Sequence, residues 1–257
     1  CLQPGLWLRI FEPTLHGGEH GEQLYVVIVK IDPQYYDFHL LTASENGEGN
    51  KTLPQWMEDH DLHAAINASM FWKDLRTSTG FMRNFAHINN SYLHPKYEGF
   101  LVFHPIHKSL PEIRIIDREH HTGWRKMLDH YSTVIQSFRM ISVRGENVWE
   151  QNGKKHSVAS IGITQKGNVL FMFCQTPVTI HDLNNVLLRL PLNIVNCIFL
   201  EGGPTAGLMV DAHNFTQGWK GIAETFLWTD APNSFVRLPN VIGITPINED
   251  SPCSDTQ

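Results

Sequence analysis

Glu201 is the residue whose position most strongly suggests chemistry. Three apolar residues at 198–200 run into this single carboxylate, as in a buried strand that carries an acid at its tip. Gly202 and Gly203 follow, and glycine lets the backbone turn sharply or lets another group approach closely. Pro204 cannot donate to a sheet ladder, so it helps to end the strand. The alternative is an ordinary surface turn with a solvated glutamate, because Gly-Gly-Pro turns are common.

Further polar side chains fall at the ends of predicted strands or just beyond them. They are Asn67, Asp74, Gln136, Arg139, His181 and Asp182. Carboxylates accompanied by one arginine and two amides suit cleavage of a glycosidic bond, in which one acid protonates the departing oxygen while another activates water or attacks carbon. A phosphate-ester leaving group would need a cation more than a proton, and a guanidinium offers a fixed fork for two phosphate oxygens.

The histidines and cysteines give weaker signals. His60 and His63 lie beside acidic residues, but two histidines fall short of a metal site and a solvated helix end explains them. Cys174 lies near His181, yet its thiol sits in an apolar run with no visible activating group. The motifs of serine hydrolases, phosphate-binding loops and zinc proteases are absent. We therefore predict no metal and no cofactor, and a metal-dependent hydrolase is only the third hypothesis.

Composition excludes several other classes of protein. The 257 residues carry a formal net charge of −6, which argues against a nucleic-acid partner because such proteins need a basic surface. No run of 18 apolar residues is present, so no membrane-spanning helix is expected.

The four cysteines lack zinc-like spacing. Cys174 and Cys197 each lie in an apolar run and are interpreted as buried thiols, with a disulfide between neighbouring strands as the alternative. The sequence begins at Cys1, as the mature part of a bacterial lipoprotein would, which predicts membrane attachment through a lipidated cysteine. The alternative is an arbitrary start of the sequence.

Short apolar runs predict most of the elements that must position these residues. Runs at 24–31 and 36–42 indicate two strands that could pair as a hairpin. Residues 134–141 read as one strand that carries both Gln136 and Arg139. Thr52 is a plausible helix N-cap with Pro54 in the first turn.

The segment 157–201 predicts the setting of Glu201. Runs at 157–164 and 168–175 indicate a hairpin that turns at Gly167. Thr179 is a plausible N-cap for a helix, after which the chain returns as the strand at 194–200. This strand, helix and strand predict the crossover unit of a parallel pair. Ligands of such sheets bind beyond the carboxyl ends of the strands, where Glu201 lies.

We predict an α+β fold, a single domain with a central mixed, curved β-sheet flanked by few helices. Residues 1–21 form an N-terminal lead-in with the first strand, residues 22–245 form the domain, and residues 246–257 are expected to be a disordered tail. The aromatic residues Trp219, Phe226 and Trp228 either pack in the core or line a sugar site.

Four segments in this order and spacing resemble the phosphodiester glycosidase family. They are Ala-Ile-Asn-Ala-Ser-Met-Phe at 65–71, Gln-Ser-Phe-Arg-Met at 136–140, Ser-Ile-Gly-Ile-Thr at 160–164 with Gly167, and Leu-Glu-Gly-Gly-Pro at 200–204. The resemblance extends over about residues 22–245. It implies a carbohydrate or sugar-phosphate substrate, bound in a pocket that contains Asn67, Gln136, Arg139, Glu201, Gly202 and Gly203.

The chain departs from the family pattern at two places. Many members have Asp-Gly-Gly where this chain has Glu201 before its two glycines, which moves the carboxyl by about one methylene. Many also carry an arginine before the strand that here begins near His156, so Lys154, Lys155 or His156 would have to replace that charge.

The leading hypothesis is a hydrolase that cleaves a glycosidic bond in a sugar-phosphodiester or a related envelope glycan. Glu201 is the principal acid/base, and Asp182 or Asp74 is the second carboxylate. Arg139 binds phosphate. Asn67 and Gln136 position the sugar, and Gly202, Gly203 and His181 are further substrate-binding residues. The alternative is a non-catalytic envelope lipoprotein that binds a glycan or a protein partner, and both hypotheses predict export to the bacterial periplasm or outer membrane.

Overall fold

Strands dominate the computed structural model, which describes residues 1–15, 21–45, 47–222 and 234–247. The strands are β1 (Leu6–Phe11), β2 (Thr14–Leu15), β3 (Glu22–Gln23), β4 (Val26–Ile31), β5 (Tyr36–Thr42), β6 (Ala64–Asn67), β7 (Met82–Asn84), β8 (His87–Asn90), β9 (Gly99–Pro105), β10 (Ile113–Asp117), β11 (Tyr131–Ser137), β12 (Arg139–Ile141), β13 (His156–Thr164), β14 (Val169–Val178), β15 (Ile194–Gly202), β16 (Gly207–Ala212), β17 (Phe215–Lys220) and β18 (Asn240–Pro246). The helices are α1 (Leu53–Asp59), α2 (Trp124–Leu128) and α3 (Ile180–Arg189).

Three larger sheets and one small ribbon contain these strands. The first sheet has the order β1-β4-β14-β13-β15-β12, the second β10-β9-β11-β7-β8, and the third β17-β16-β6-β18-β5, while β2 pairs with β3. Every ladder between described strands is antiparallel. The predicted α+β domain with few helices and curved sheets is confirmed. The described strands form several antiparallel sheets instead of the one mixed central sheet that was predicted.

One hydrophobic core joins the three large sheets. Phe38 of β5 packs at 6.3 Å from the ring of Phe171 in β14 and at 6.4 Å from the ring of Phe103 in β9. All three rings are buried, so each sheet contributes its inner face to the same core. Helix α3 covers the outer face of the first sheet with Leu183 and Leu187.

The predicted pairing of β4 with β5 is wrong. Strand β4 pairs with β1 and β14, whereas β5 pairs with β18 in the third sheet. The reason lies in the side-chain pattern. Val27 and Val29 of β4 face the shared core while Val26 and Ile28 face α3, so both faces of β4 are covered. Strand β5 alternates between buried and more exposed residues and is covered on one face, which suits a different sheet.

The predicted strand–helix–strand unit is present, but its strands are not neighbours. Strands β14 and β15 run parallel to each other because each pairs antiparallel with β13, which lies between them. The tight turn at Gly167, with φ 83°, closes β13 and β14 into the predicted hairpin. Because β4 pairs with the other side of β14, β15 adds on the far side of β13. The carboxyl ends of β14 and β15 still lie beside the start of β13, at one end of these three strands.

The single strand predicted at 134–141 breaks at Phe138. Strand β11 carries Gln136 in the second sheet, and β12 carries Arg139 in the first sheet. The Phe138 carbonyl still accepts a hydrogen bond of 2.9 Å from the Phe199 amide, which keeps the chain against β15. The two motif residues therefore lie in different surroundings, although only two residues separate them.

Smaller predictions have mixed outcomes. Thr52 and Thr179 both cap helices, as predicted. Cys174 and Cys197 are buried free thiols, and burial raises the pKa of each to about 12. Trp219 is buried in β17 and belongs to the core. Phe226, Trp228 and the tail from residue 248 lie outside the described residues. None of the described helices is long and apolar enough to span a membrane.

Candidate active site

Glu201 lies at the end of β15, opposite Ala159 of β13. The register slips there, because Phe199 pairs with Ser160 while Glu201 pairs with Ala159 and leaves Leu200 without a partner. Such a β-bulge redirects the side chains that follow it and is common beside active sites. The Glu201 side chain is half-buried at the sheet edge where β13, β14 and β15 meet.

The carboxyl of Glu201 has neutral hydrogen-bond donors. Its Oε1 accepts a bond of 2.9 Å from the Gly202 amide, and the Thr205 hydroxyl also bonds the group. Burial raises the pKa of this carboxyl to about 7, and the two donors offset only part of that rise. Among the described residues, no lysine or arginine forms an ion pair with Glu201. A carboxylic acid with a pKa near neutrality can hold or release a proton under ordinary conditions.

The turn after Glu201 is held by Asn67 from the third sheet. Asn67 Nδ2 donates to the Thr205 carbonyl at 2.9 Å, and its Oδ1 accepts from the Gly207 amide at 2.7 Å. The turn contains a one-turn 3₁₀ helix, Gly203–Thr205. Its first residue, Gly203, has φ 69°, a conformation that favours glycine. The sequence prediction placed Asn67 against the sugar. The structure brings it to Glu201 but directs both ends of its amide to the backbone of the turn.

A series of aromatic rings lines the neighbourhood of Glu201. We call Tyr97, Phe138, Trp149, Phe199 and His156 the aromatic wall. Successive ring centroids are 4.2 Å apart for the first pair, then 5.3, 5.8 and 6.2 Å. Trp149, Phe138 and His156 are half-buried, so parts of these rings remain open to a ligand.

Both ends of the aromatic wall reach the Glu201 turn. Tyr97 lies close enough that the Glu201 carboxyl helps burial to raise the pKa of its phenol, against a hydrogen bond to Thr79 that lowers it. His156 packs on Gly202, where an added Cβ would lie 2.6 Å from the imidazole Nδ1. Gly202 thus makes room for the His156 ring. Its Nδ1 is 2.8 Å from the Ser157 carbonyl, which favours the tautomer with the proton on Nδ1.

Gln136 holds the chain segment that carries Tyr97. It is fully buried, and its Nε2 donates to the carbonyls of His94 and Tyr97, both at 2.8 Å. Its Oε1 accepts from the amides of His94 and Phe81 at 2.8 and 3.1 Å. The structure therefore gives Gln136 a positioning role for one end of the aromatic wall, and its predicted contact with a sugar stays a prediction.

Arg139 is surrounded by carboxylates. Its guanidinium bonds Asp117 at 2.7 Å and Glu98 at 2.8 Å, and it also pairs with Glu119. The side chains of Arg139 and Asp117 are 7% and 1% exposed, whereas Glu98 and Glu119 are open to solvent. A phosphate bound here would have to displace one of the two exposed carboxylates. The Arg139 guanidinium is therefore already occupied by carboxylates, and its predicted contact with phosphate stays a prediction.

Asp182 and His181 lie at the start of α3 and support the loop that carries Trp149. Asp182 accepts bonds from the Thr179 hydroxyl at 2.7 Å and from Gln151 Nε2 at 3.1 Å. Burial acts to raise the pKa of Asp182, but hydrogen bonds from Thr179, Gln151 and His181 outweigh it and lower the pKa. The carbonyl of His181 accepts a bond of 2.9 Å from Asn147, two residues before Trp149.

Asp74 caps an exposed turn. Its carboxylate accepts bonds from the Thr77 hydroxyl and amide and from the Arg76 amide at 2.6 to 3.0 Å. The Thr77 hydroxyl is the largest cause that lowers the pKa of Asp74. No contact among the described residues brings Asp74 or Asp182 to Glu201. No cluster of three or more metal-binding side chains is found in the described parts of the chain.

Sequence reasoning missed the aromatic wall and Thr205. Phe138 had a signal, because it stands between Gln136 and Arg139 in a motif already selected. Sequence reasoning selected His156 only as a replacement for a charge and not as an aromatic ring. Trp149 and Tyr97 reach the site from separate loops, and nothing in their local sequence links them.

A partly shielded acid with a raised pKa, beside tilted and edge-to-face aromatic rings at one end of a sheet, is the kind of site that carbohydrate-cleaving enzymes use. The sequence profile of the phosphodiester glycosidases matches residues 60–245, and the chain belongs to this family. No curated protein sequence matches the chain.

Several solved structures share the fold, among them proteins from zebrafish, Synechocystis and Burkholderia pseudomallei. The catalytic domain of zebrafish N-acetylglucosamine-1-phosphodiester alpha-N-acetylglucosaminidase, auto-inhibited by its pro-peptide, aligns with a TM-score of 0.67 at 10% identity over 94% of this chain and 83% of that one. A hypothetical protein from Synechocystis aligns at 0.65 and 14% identity, over 94% of this chain, which spans 62% of that protein. A Burkholderia pseudomallei protein named as exported aligns at 0.55 and 9% identity, over 91% of this chain and 76% of that one.

The raised pKa of Glu201 predicts how stability depends on pH. The folded protein keeps a proton on Glu201 between its ordinary pKa of 4.5 and about 7, while the unfolded chain releases it. The free energy of unfolding of the wild type should therefore fall as pH rises through this window, by up to about 3 kcal/mol. Glu201→Gln stays neutral, so urea unfolding at pH 4 and pH 8 should show the variant gaining stability relative to the wild type as pH rises. A parallel pH dependence in both proteins would contradict a buried, protonated Glu201.

The ion pairs of Arg139 predict a structural loss when the charge is removed. Arg139→Gln leaves Asp117 buried without its cation and should destabilise the fold by about 3 to 5 kcal/mol. Glu119→Gln removes only an exposed partner and should change the urea midpoint little. If both variants unfold at the wild-type midpoint, the cluster does not stabilise the protein.

Proposed function

We propose that this protein is a hydrolase that cleaves a glycosidic bond in a sugar-phosphodiester or a related envelope glycan. The observation that carries the proposal is the Glu201 carboxyl, with a pKa of about 7, set between Tyr97 and His156 of the aromatic wall. Membership of the phosphodiester glycosidase family supports the reaction class. Aromatic faces suit the apolar sides of sugar rings, and the neutral donors around Glu201 suit an uncharged ring.

In the proposed reaction, Glu201 acts as the general acid. Its proton passes to the glycosidic oxygen as the bond from that oxygen to the anomeric carbon breaks, while water bonds to the carbon and gives up a proton. A carboxyl held protonated by burial can do this near neutral pH, whereas a solvated glutamate would already be ionised.

Asp182 and Asp74 remain the proposed second carboxylates. The pKa of each is lowered by hydrogen bonds, so each is ionised and suited to accept a proton. Asp182 is the first candidate because Gln151 ties it to the loop that carries Trp149. Arg139 remains the proposed phosphate contact, by exchange with Glu98 or Glu119.

We also propose that the protein acts outside the cytoplasm. One protein of the same fold is named as exported, which supports this placement. Attachment through a lipidated Cys1 stays a proposal and would show as a mass increase on that residue in protein isolated from membranes.

Glu201→Gln should abolish hydrolysis in a panel of sugar-1-phosphodiesters and aryl glycosides, because glutamine cannot give a proton to the departing oxygen. The Gly202 amide can still bond the new side chain, so the fold should persist by circular dichroism. For the wild type, kcat/KM should fall as pH rises through about 7, since the acid loses its proton there.

Glu150→Gln is the matched control, because this substitution makes the same chemical change at an exposed residue on the loop beside Trp149. Normal turnover by Glu201→Gln would refute the assignment. A kcat/KM that rises through pH 7 would assign Glu201 as a base instead. Substrates that bind without being cleaved by the wild type would favour the non-catalytic glycan-binding alternative.

The aromatic wall predicts a defect in binding rather than in chemistry. Trp149→Ala should raise KM several-fold with a smaller change in kcat, because an aromatic contact contributes about 1 kcal/mol. Trp149→Phe keeps a ring in place and should recover most of the wild-type KM. Equal losses of kcat in both variants, with KM unchanged, would contradict a sugar-stacking role.

A further inference from the structure

A second cavity lies at the opposite end of the first sheet from Glu201. We call it the cationic groove, and it has a volume of about 430 Å³. Residues that line it include Trp7, Arg9, Lys30, Lys166, Asn168 and Asn193. Asn193 immediately precedes β15, eight residues before Glu201. At about 3.3 Å per residue the two places are about 26 Å apart, so one small ligand cannot occupy both.

The edge strands of the sheet build one side of the groove. Trp7 and Arg9 alternate along β1 on the face away from the shared core, opposite Lys30 and Ile28 of β4. Lys30 Nζ lies 4.1 Å from the centroid of the Trp7 ring, which fixes the ammonium against an aromatic surface. Arg9 is held in the same way, 4.7 Å from the ring of Phe11.

The other side of the groove is a braced pair of loops. The Gln165 amide donates to the Asn193 carbonyl at 2.9 Å, which ties the β13–β14 turn to the loop before β15. The Asn168 amide donates to Thr164 Oγ1 at 3.0 Å. Asn193 has φ 51°, a left-handed conformation that asparagine tolerates better than most residues. These contacts fix the backbone of Asn168 and Asn193, and both residues line the groove.

The charge in the groove contrasts with the charge of the chain. The protein carries −6 overall, yet none of the described residues that line the groove is acidic. Arg9, Lys30 and Lys166 form no ion pair with any described residue. Three cations without an acidic partner in the described part of the chain favour an anion, and the amide and hydroxyl groups that line the same groove suit the hydroxyls of a polyol.

We propose that the cationic groove binds a small anionic polyol of the sugar-phosphate type. The phosphate lies among Arg9, Lys30 and Lys166, and the hydroxyls bond the side chains of Asn168 and Asn193. The volume is that of an ordinary small-molecule pocket. The free sugar phosphate and a sugar- or glycerol-phosphate lipid headgroup share this chemistry, so the test must separate them. The inference does not depend on the reaction proposed for Glu201.

The test is calorimetric titration of the full chain with glucose 6-phosphate, glucose and inorganic phosphate. Glucose 6-phosphate should bind at least tenfold more tightly than either of the others, because the groove offers both cations and polyol partners. Arg9→Gln combined with Lys30→Gln should weaken that binding at least tenfold. Lys108→Gln combined with Lys126→Gln removes the same charge from exposed positions elsewhere and should leave binding unchanged.

Each remaining outcome decides the proposal. Equal weakening in the control pair, or no binding of glucose 6-phosphate to the wild type, would overturn it. Loss of binding in Glu201→Gln would instead place the ligand at the other site. Co-sedimentation with phosphatidylglycerol vesicles tests the lipid source. Binding of the wild type to these vesicles and not to neutral phosphatidylcholine vesicles, together with loss of that binding in the Arg9/Lys30 double variant, would identify a lipid headgroup as the ligand. Thermal melts of the two double variants should match the wild type, since Arg9, Lys108 and Lys126 are exposed and Lys30 is only half-buried.

Discussion

One carboxyl is shielded from water with no cation partner among the described residues, and the rest of the site depends on this constraint. Glu201 ends a strand that is anchored in the core by Ile198 and Leu200, so the sheet holds the acid in place. Its neutral donors, the Gly202 amide and the Thr205 hydroxyl, stabilise the group without returning its pKa to that of a solvated glutamate. A nearby arginine or lysine would ionise it, and the scaffold keeps the buried guanidinium of the second motif occupied by other acids.

Buried amides provide the framework around this carboxyl. Asn67 clamps the turn that follows Glu201, Gln136 clamps the segment that ends in Tyr97, and Asn147 ties the Trp149 loop to α3. Each amide satisfies several backbone groups at once, which is the cheapest way to fix irregular chain in a protein interior. The three amides come from different parts of the fold. Gln136 and Asn147 position the segments that carry Tyr97 and Trp149, and Asn67 positions the turn after Glu201.

The charges are arranged in separate places. Arg139 and Asp117 form a buried pair that links β12 to the end of β10, where the cation stabilises structure. Arg9 and Lys30 of the groove lie at the other end of the first sheet and are held over aromatic rings. This separation leaves the neighbourhood of Glu201 to neutral donors and rings, which is the environment that keeps its proton.

Local patterns determined much of this protein from the sequence alone. The apolar run before Glu201, the hairpin turn at Gly167 and the capping residues Thr52 and Thr179 each depend on neighbouring residues, so the sequence predicted them correctly. The tertiary structure alone decided which strands pair, that Phe138 divides one apolar run between two sheets, and that the pocket amides bond backbone. Those outcomes depend on contacts between residues far apart in the chain, and the burial that raises the pKa of Glu201 arises only when those contacts form.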